Sequence, residues 1–238
     1  MNNFFIELNK ISKKFNKNNV KVFSNLTYKF KRGKIYSLVG PSGSGKSTLL
    51  NILSLIDRPN SGNIKILNNK INFNKFSVND NIRANNIGII YQDKNLLSDF
   101  SALENIYLAR LAITNDETKA YMEARKLIRK IGLSKRENHY PSELSGGEAQ
   151  RIAICRALIN SPKIILADEP TGNLDQKKAK DFFNLLFKLK NKNRTIIFAT
   201  HNLYFAKMAD CKLSLNNGKI SSLNAVSYTH LRAHETIA

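Results

Sequence analysis

Gly40-Pro41-Ser42-Gly43-Ser44-Gly45-Lys46-Ser47 fits the pattern GxxxxGK[ST] at every fixed position. Residues 34–39 before it read as a short strand, and residues 47–56 after it carry apolar side chains at helical spacing. A strand that runs into a glycine-rich turn and out into a helix is the setting in which this pattern binds phosphate. Glycine lets the backbone curl so that successive N–H groups face an anion. The helix adds the positive end of its dipole. Lys46 sets a point charge toward the outer phosphates, and Ser47 offers a hydroxyl to Mg2+. The other source of such a composition, a Gly-Ser linker, would not place Lys-Ser-Thr between two apolar runs.

Ile164-Ile165-Leu166-Ala167-Asp168-Glu169 supplies a partner strand. Its apolar residues bury it and deliver two carboxylates at the edge where α/β sheets bind ligands. Asp168 is expected to hold Mg2+ through water, and Glu169 to polarise an attacking water.

The rest of the chain sets the fold class. Residues 4–11 and 20–28 read as two antiparallel strands, with short strands at 64–67 and 71–73 and a doubly buried strand at 87–91. Helical spacing covers 102–113 and 116–131, with Asp116 as N-cap and Gly132 as stop, and another helix covers about 147–158. Strand and helix then alternate at 163–168, 176–190, 195–200 and 202–209, which implies a parallel sheet covered on both faces. The expected architecture is α/β. A mostly parallel P-loop core spans 1–92 and 162–224, with an N-terminal antiparallel part, and 93–161 form an inserted helical subdomain.

Composition narrows the class. The formal charge is +20 over 238 residues, and residues 1–80 hold 14 Lys/Arg against 3 Asp/Glu. That imbalance would fit a nucleic-acid or anionic-membrane surface, but the preferred reading is incidental, solvated charge in a Lys/Asn/Ile-rich chain of an AT-rich genome. The basic residues are scattered without aromatic platforms among them, so no specific nucleic-acid partner is expected. No apolar run approaches the ~18–20 residues of a spanning helix, and the N-terminus lacks the layout of a signal peptide. Cys155 and Cys211 form no CxxC and are expected as small buried residues in a reducing compartment.

Residues 225–238 include Val226-Ser227-Tyr228-Thr229-His230-Leu231-Arg232-Ala233-His234-Glu235-Thr236. They resemble a translated sequencing adapter and are expected to be non-native. His230 and His234 are therefore set aside as metal ligands.

Leu144-Ser145-Gly146-Gly147-Glu148-Ala149-Gln150-Arg151 resembles the signature sequence of ABC ATPases. The other elements of that family follow in order: Phe15 at the adenine-stacking position, Gln92 after a strand, Asn173-Leu174-Asp175, and Thr200-His201. The resemblance spans residues 4–224. It implies an ATPase using ATP and Mg2+, and a head-to-tail dimer with a second copy of the chain. Each ATP would lie between residues 40–48, Thr48 included, and Ser145, Gly146, Gly147 and Glu148 of the partner. The same resemblance gives Asp175 to the nucleotide site, has His201 contact the γ-phosphate, and has Gln92 sense the metal and the water. Phe15 is either the adenine platform or a core aromatic; stacking needs only a π face.

Pro170-Thr171-Gly172-Asn173-Leu174-Asp175 is similar to the form found in ATPases that release lipoproteins or export peptides and macrolides, and in a cell-division relative. Residues 95–105 resemble the lipoprotein-releasing (LolD-type) group most, ahead of MacB-like exporters and the cell-division ATPase. Asp93-Lys94 departs from the Phe-His usual in that group, at the expected docking surface for a membrane subunit. The implied partner is a separate transmembrane permease, with this chain peripheral at the cytoplasmic face of the inner membrane.

Overall fold

Alternating apolar side chains pair β1 (Phe4–Phe15) with β2 (Val20–Lys31) and β4 (Ser61–Ile66), all antiparallel. The computed structural model describes residues 3–15, 20–172 and 174–223. The expected non-native stretch, 225–238, lies outside them, as does Asn173. β1 runs four residues beyond the expected 4–11, through register shifts that include Lys10 at φ 53°.

A second sheet joins β3 (Ile35–Val39), β6 (Ile87–Ile90), β7 (Ile164–Asp168), β8 (Thr195–Ala199), β9 (Cys211–Asn216) and β10 (Lys219–Ser222) in the order β10-β9-β3-β8-β7-β6. All its pairings are parallel except β9 with β10. Period-two alternation sends β7 and β8 side chains to opposite layers. Ile164, Leu166, Ile197 and Ala199 join the core that also buries α1 (Lys46–Leu53) against the antiparallel sheet. Ile165, Ala167, Ile196 and Phe198 pack under α6 (Gln176–Lys188) and the short α7 (Leu203–Ala206).

Residues 102–158 contain helices without a strand: α3 (Ala102–Leu111), α4 (Glu117–Lys130), two 3-10 turns (Ser134–Arg136 and Pro141–Glu143) and α5 (Gly146–Leu158). Leu103, Ile106, Ala124, Ile128 and Ile152 form a core of their own there. Asp116 caps α4 by accepting the Lys119 N–H at 2.8 Å, and Gly132 follows with φ 73°, as expected.

Two local expectations are corrected. The strand expected at 71–73 is instead β5 (Asn69–Lys70), because Leu67 and Asn68 turn the chain with φ 50° and 70°. An unforeseen helix, α2 (Phe76–Asn86), follows it. Cys155 is buried as expected, whereas Cys211 is only half-buried; both are free thiols. Among the described residues, no helix is long and apolar enough to cross a membrane.

Candidate active site

Four adjacent parallel strands deliver the sequence-marked residues to one edge of the sheet. β3 leads into the loop that starts at Gly40, β8 into Thr200-His201, β7 ends at Asp168, and β6 leads to Gln92. Parallel strands share their C-terminal edge, so topology alone brings together residues up to 161 positions apart.

The 40–47 loop is shaped by close contacts with neighbouring strands. A Cβ on Gly40 would lie 2.2 Å from the Leu215 carbonyl oxygen, and one on Gly45 2.4 Å from Val22 Cγ1. Gly45 also has φ 97°, which disfavours any side chain. Lys46 Nζ donates to the Gly40 and Pro41 carbonyls at 2.9 and 3.2 Å, so its charge lies within the curve of the loop. α1 has no side-chain cap, which leaves the N–H groups of Lys46, Ser47 and Thr48 at a helix start facing outward for an anion. Pro41, Ser42, Gly43 and Ser44 line a cavity of about 530 Å³ with the start of β2.

Opposite the loop, Asp168 Oδ1 is buried and has no hydrogen-bond partner among the described residues. The Ser47 hydroxyl neighbours the same side chain and favours its charged form. Burial is the main force that raises the Asp168 carboxyl above its ordinary range; the Ser47 hydroxyl opposes it, and the Glu169 charge adds to it. An unpartnered carboxylate oxygen beside a hydroxyl is the donor set that Mg2+ takes together with waters and phosphate oxygens, so these residues fit that ion.

Glu169 sits just past β7 in the left-handed region, φ 40°. Its Oε2 accepts the His201 backbone N–H at 3.2 Å and lies 3.0 Å from His201 Nδ1. Gln92 reaches the same corner: a Cβ on Gly172 would meet Gln92 Nε2 at 2.8 Å. Glu169, His201 and Gln92 thus gather at one edge with Asp168.

The signature residues Ser145 to Glu148 form the start of α5. Ser145 caps α5, its hydroxyl accepting the Glu148 N–H at 3.3 Å while Glu148 Oε2 accepts the Ser145 N–H at 2.8 Å. Arg136 Nε adds a 3.0 Å pair to Glu148. These bonds, the Ser145 N–H first among them, hold the Glu148 carboxyl down at about 2. Glu148 therefore serves the helix start directly. Gly146 has open space where a Cβ would be, and Gly147 meets only the far end of Lys178 at 3.9 Å. Asp175 caps α6, accepting the Lys178 N–H at 2.9 Å and pairing with Lys178 Nζ at 2.7 Å. Phe15 ends β1 with 44% of its surface exposed, which removes the core reading. Its cross-strand partner Val20 lines the cavity beside the phosphate loop.

The family profile described as ABC transporter matches residues 23–172. The chain belongs to the ABC transporter family. It is 45% identical over 224 residues to the lipoprotein-releasing system ATP-binding protein LolD of Rickettsia typhi, covering 93% of this chain and 99% of that protein. It is 44% identical over 212 residues to the LolD of Wigglesworthia glossinidia brevipalpis, covering 89% and 93%. A solved dimer of the ATP-binding cassette MJ0796, in a post-hydrolysis state bound to ADP and Pi, aligns with TM-score 0.83 at 33% identity over 92% of this chain and 99% of that one.

In this ABC ATPase, three residues that touch the marked positions or the chain beside them carried no assigned role from sequence. Gln150 of α5, 2% exposed, donates to the Pro170 carbonyl at 2.8 Å. Arg156, further along α5, bonds the Lys94 and Asn95 carbonyls just after Gln92. The third, Lys13, lies under the Phe15 ring. The signature sequence flags Gln150; only spatial contact flags the other two.

Proposed function

We propose that this chain is the ATP-hydrolysing subunit of a lipoprotein-releasing ABC transporter, acting as a head-to-tail dimer on a separate membrane permease. ATP binding and its coupling to transport belong to the family. The observation that supports the finer reading is the end-to-end likeness to lipoprotein-releasing ATPases, at 45% identity over 93% of the chain. The chain would sit peripherally at the cytoplasmic face of the inner membrane.

Within that reading, residues 1–224 act as one ATPase domain, with 93–161 as the inserted helical part and 225–238 as non-native. The loop Gly40-Pro41-Ser42-Gly43-Ser44-Gly45 surrounds the phosphates with N–H groups, and Lys46 neutralises the outer two. Ser47 and Asp168 would hold Mg2+, with Gln92 sensing it, and the ion would supply neutralising charge to the phosphates. Glu169 orients and polarises the water, and His201 contacts the γ-phosphate. Phe15 receives the adenine. Ser145, Gly146 and Gly147 offer a second helix start to the ATP of a partner subunit, with Glu148 fixing that start and Asp175 close to it. The open space at Gly146 supports this, since nothing among the described residues requires a glycine there.

Reconstitution tests the reading. The chain is combined in liposomes with a lipoprotein-releasing permease or with a MacB-like exporter permease. The reading expects ATP-dependent release of a lipidated protein with the first partner only. Assembly with the exporter permease alone contradicts it.

A further inference from the structure

Lys13 is a cation placed where cations are rare. It is 8% exposed on β1, yet its ammonium makes three directed contacts. Nζ donates to Asp57 Oδ1 at 2.7 Å and to the Arg58 carbonyl at 2.8 Å. It also stands over the Phe15 ring, 5.0 Å from the centroid. Lys13 and Phe15 are two residues apart on one strand, so they share a face of the sheet. Asp57 lies beyond the end of α1, with its N–H bonded to the Asn51 carbonyl at 3.0 Å. The ion pair therefore fastens the aromatic end of β1 to the helix that starts at the phosphate loop.

A lysine that served only to fill space here would carry a desolvation cost that an apolar residue would avoid. The geometry gives the charge a use. A cation on one face of a π system is held by the ring quadrupole and draws electron density toward itself. The opposite face is then less electron-rich, which favours an offset stack with an electron-rich purine. The half-exposed ring leaves area for such a stack, and its cross-strand partner Val20 lines the cavity beside the loop.

We propose that Lys13, held by Asp57 and the Arg58 carbonyl, is a positioning residue for base recognition: it fixes the Phe15 ring and polarises it toward a purine. This rests on the reading of Phe15 as the adenine platform.

The test compares calorimetric Kd values of the full chain for Mg-ATP and for Mg-tripolyphosphate, which has the phosphates without the base. Phe15→Leu is expected to weaken ATP and leave tripolyphosphate unchanged. Lys13→Met is expected to weaken ATP by roughly three- to tenfold, the scale of a partly desolvated cation–π contact, again with tripolyphosphate unchanged. In the Phe15→Leu background Lys13→Met should cost nothing further, and Lys13→Arg should restore most of the affinity. Asp57→Asn, which frees the ammonium, should reproduce the loss if Lys13→Met does not fold. A loss shared equally by ATP and tripolyphosphate, or one that persists without the Phe15 ring, overturns the role of Lys13 while leaving the platform intact. A silent Phe15→Leu removes the platform reading, and the proposal with it.

Discussion

Glu169 and His201 are joined twice: Oε2 of the carboxylate lies 3.0 Å from the imidazole Nδ1 and accepts the backbone N–H of the same residue at 3.2 Å. The backbone bond depends on the chain path after β8 and not on the ring. Removing the imidazole therefore leaves the carboxylate anchored. The two residues reach each other because β7 and β8 are neighbours and parallel, with Asp168 paired to Ala199.

This separates a chemical role of His201 from a structural one. Its side chain is 70% exposed, so His201→Ala should change stability by no more than about 0.5 kcal/mol. Hydrolysis should fall by about 10²-fold, the usual scale for losing one donor to a developing charge. Phosphate release at saturating Mg-ATP, with a urea melt alongside, checks both. An unchanged rate would remove His201 from the chemistry.

Asp168 carries the metal prediction. Its buried Oδ1 has no partner among the described residues, and burial opposes its charge. Asp168→Asn should therefore keep or raise the melting temperature while abolishing Mg2+-dependent hydrolysis. EDTA should bring the wild-type rate down to the level of the variant. A variant that melts lower and still hydrolyses ATP with Mg2+ would contradict the assignment.

The capping box predicts a pH window. The Glu148 carboxyl is lowered from 4.5 to about 2, chiefly by the Ser145 N–H bond. A depressed acid stabilises the fold fully above its unfolded value and loses that contribution as pH falls to the folded one. Glu148→Gln keeps a capping side chain and loses the charge and the Arg136 pair. Urea melts should show the variant less stable by up to about 1 kcal/mol at pH 7, converging with wild type between pH 4.5 and 2. A constant gap across that window would mean that the charge contributes nothing.

Much of this was legible in the sequence because the decisive strands are buried on both faces. Ile164-Ile165-Leu166-Ala167 can hardly be anything else, and a parallel strand fixes where its last residue points. The helix α2 was not legible. Its sequence is asparagine-rich, it lacks a side-chain cap, and Asn79 is its only fully buried residue, so neither propensity nor periodicity marks it. The β9–β10 hairpin carried a usable signal, Asn217-Gly218 at φ 47° and 71°, between strands too short and polar to stand out. Lys13 with Asp57, and Gln150 with Pro170, are contacts between remote segments. Residue spacing along one chain cannot report them.

Glu169 is the residue proposed to activate the water that attacks ATP. The direct measurement is phosphate release by Glu169→Gln at saturating Mg-ATP, with calorimetric ATP affinity as control. The glutamine keeps the shape and an acceptor for the His201 N–H but cannot take a proton. Lys46, Ser47 and the 40–47 loop are untouched, so ATP should bind within a few-fold of wild type. Turnover should fall by about 10²–10⁴-fold, the range for loss of a general base. A Glu169→Gln chain that binds ATP and releases phosphate at a near-normal rate would remove Glu169 from the chemistry.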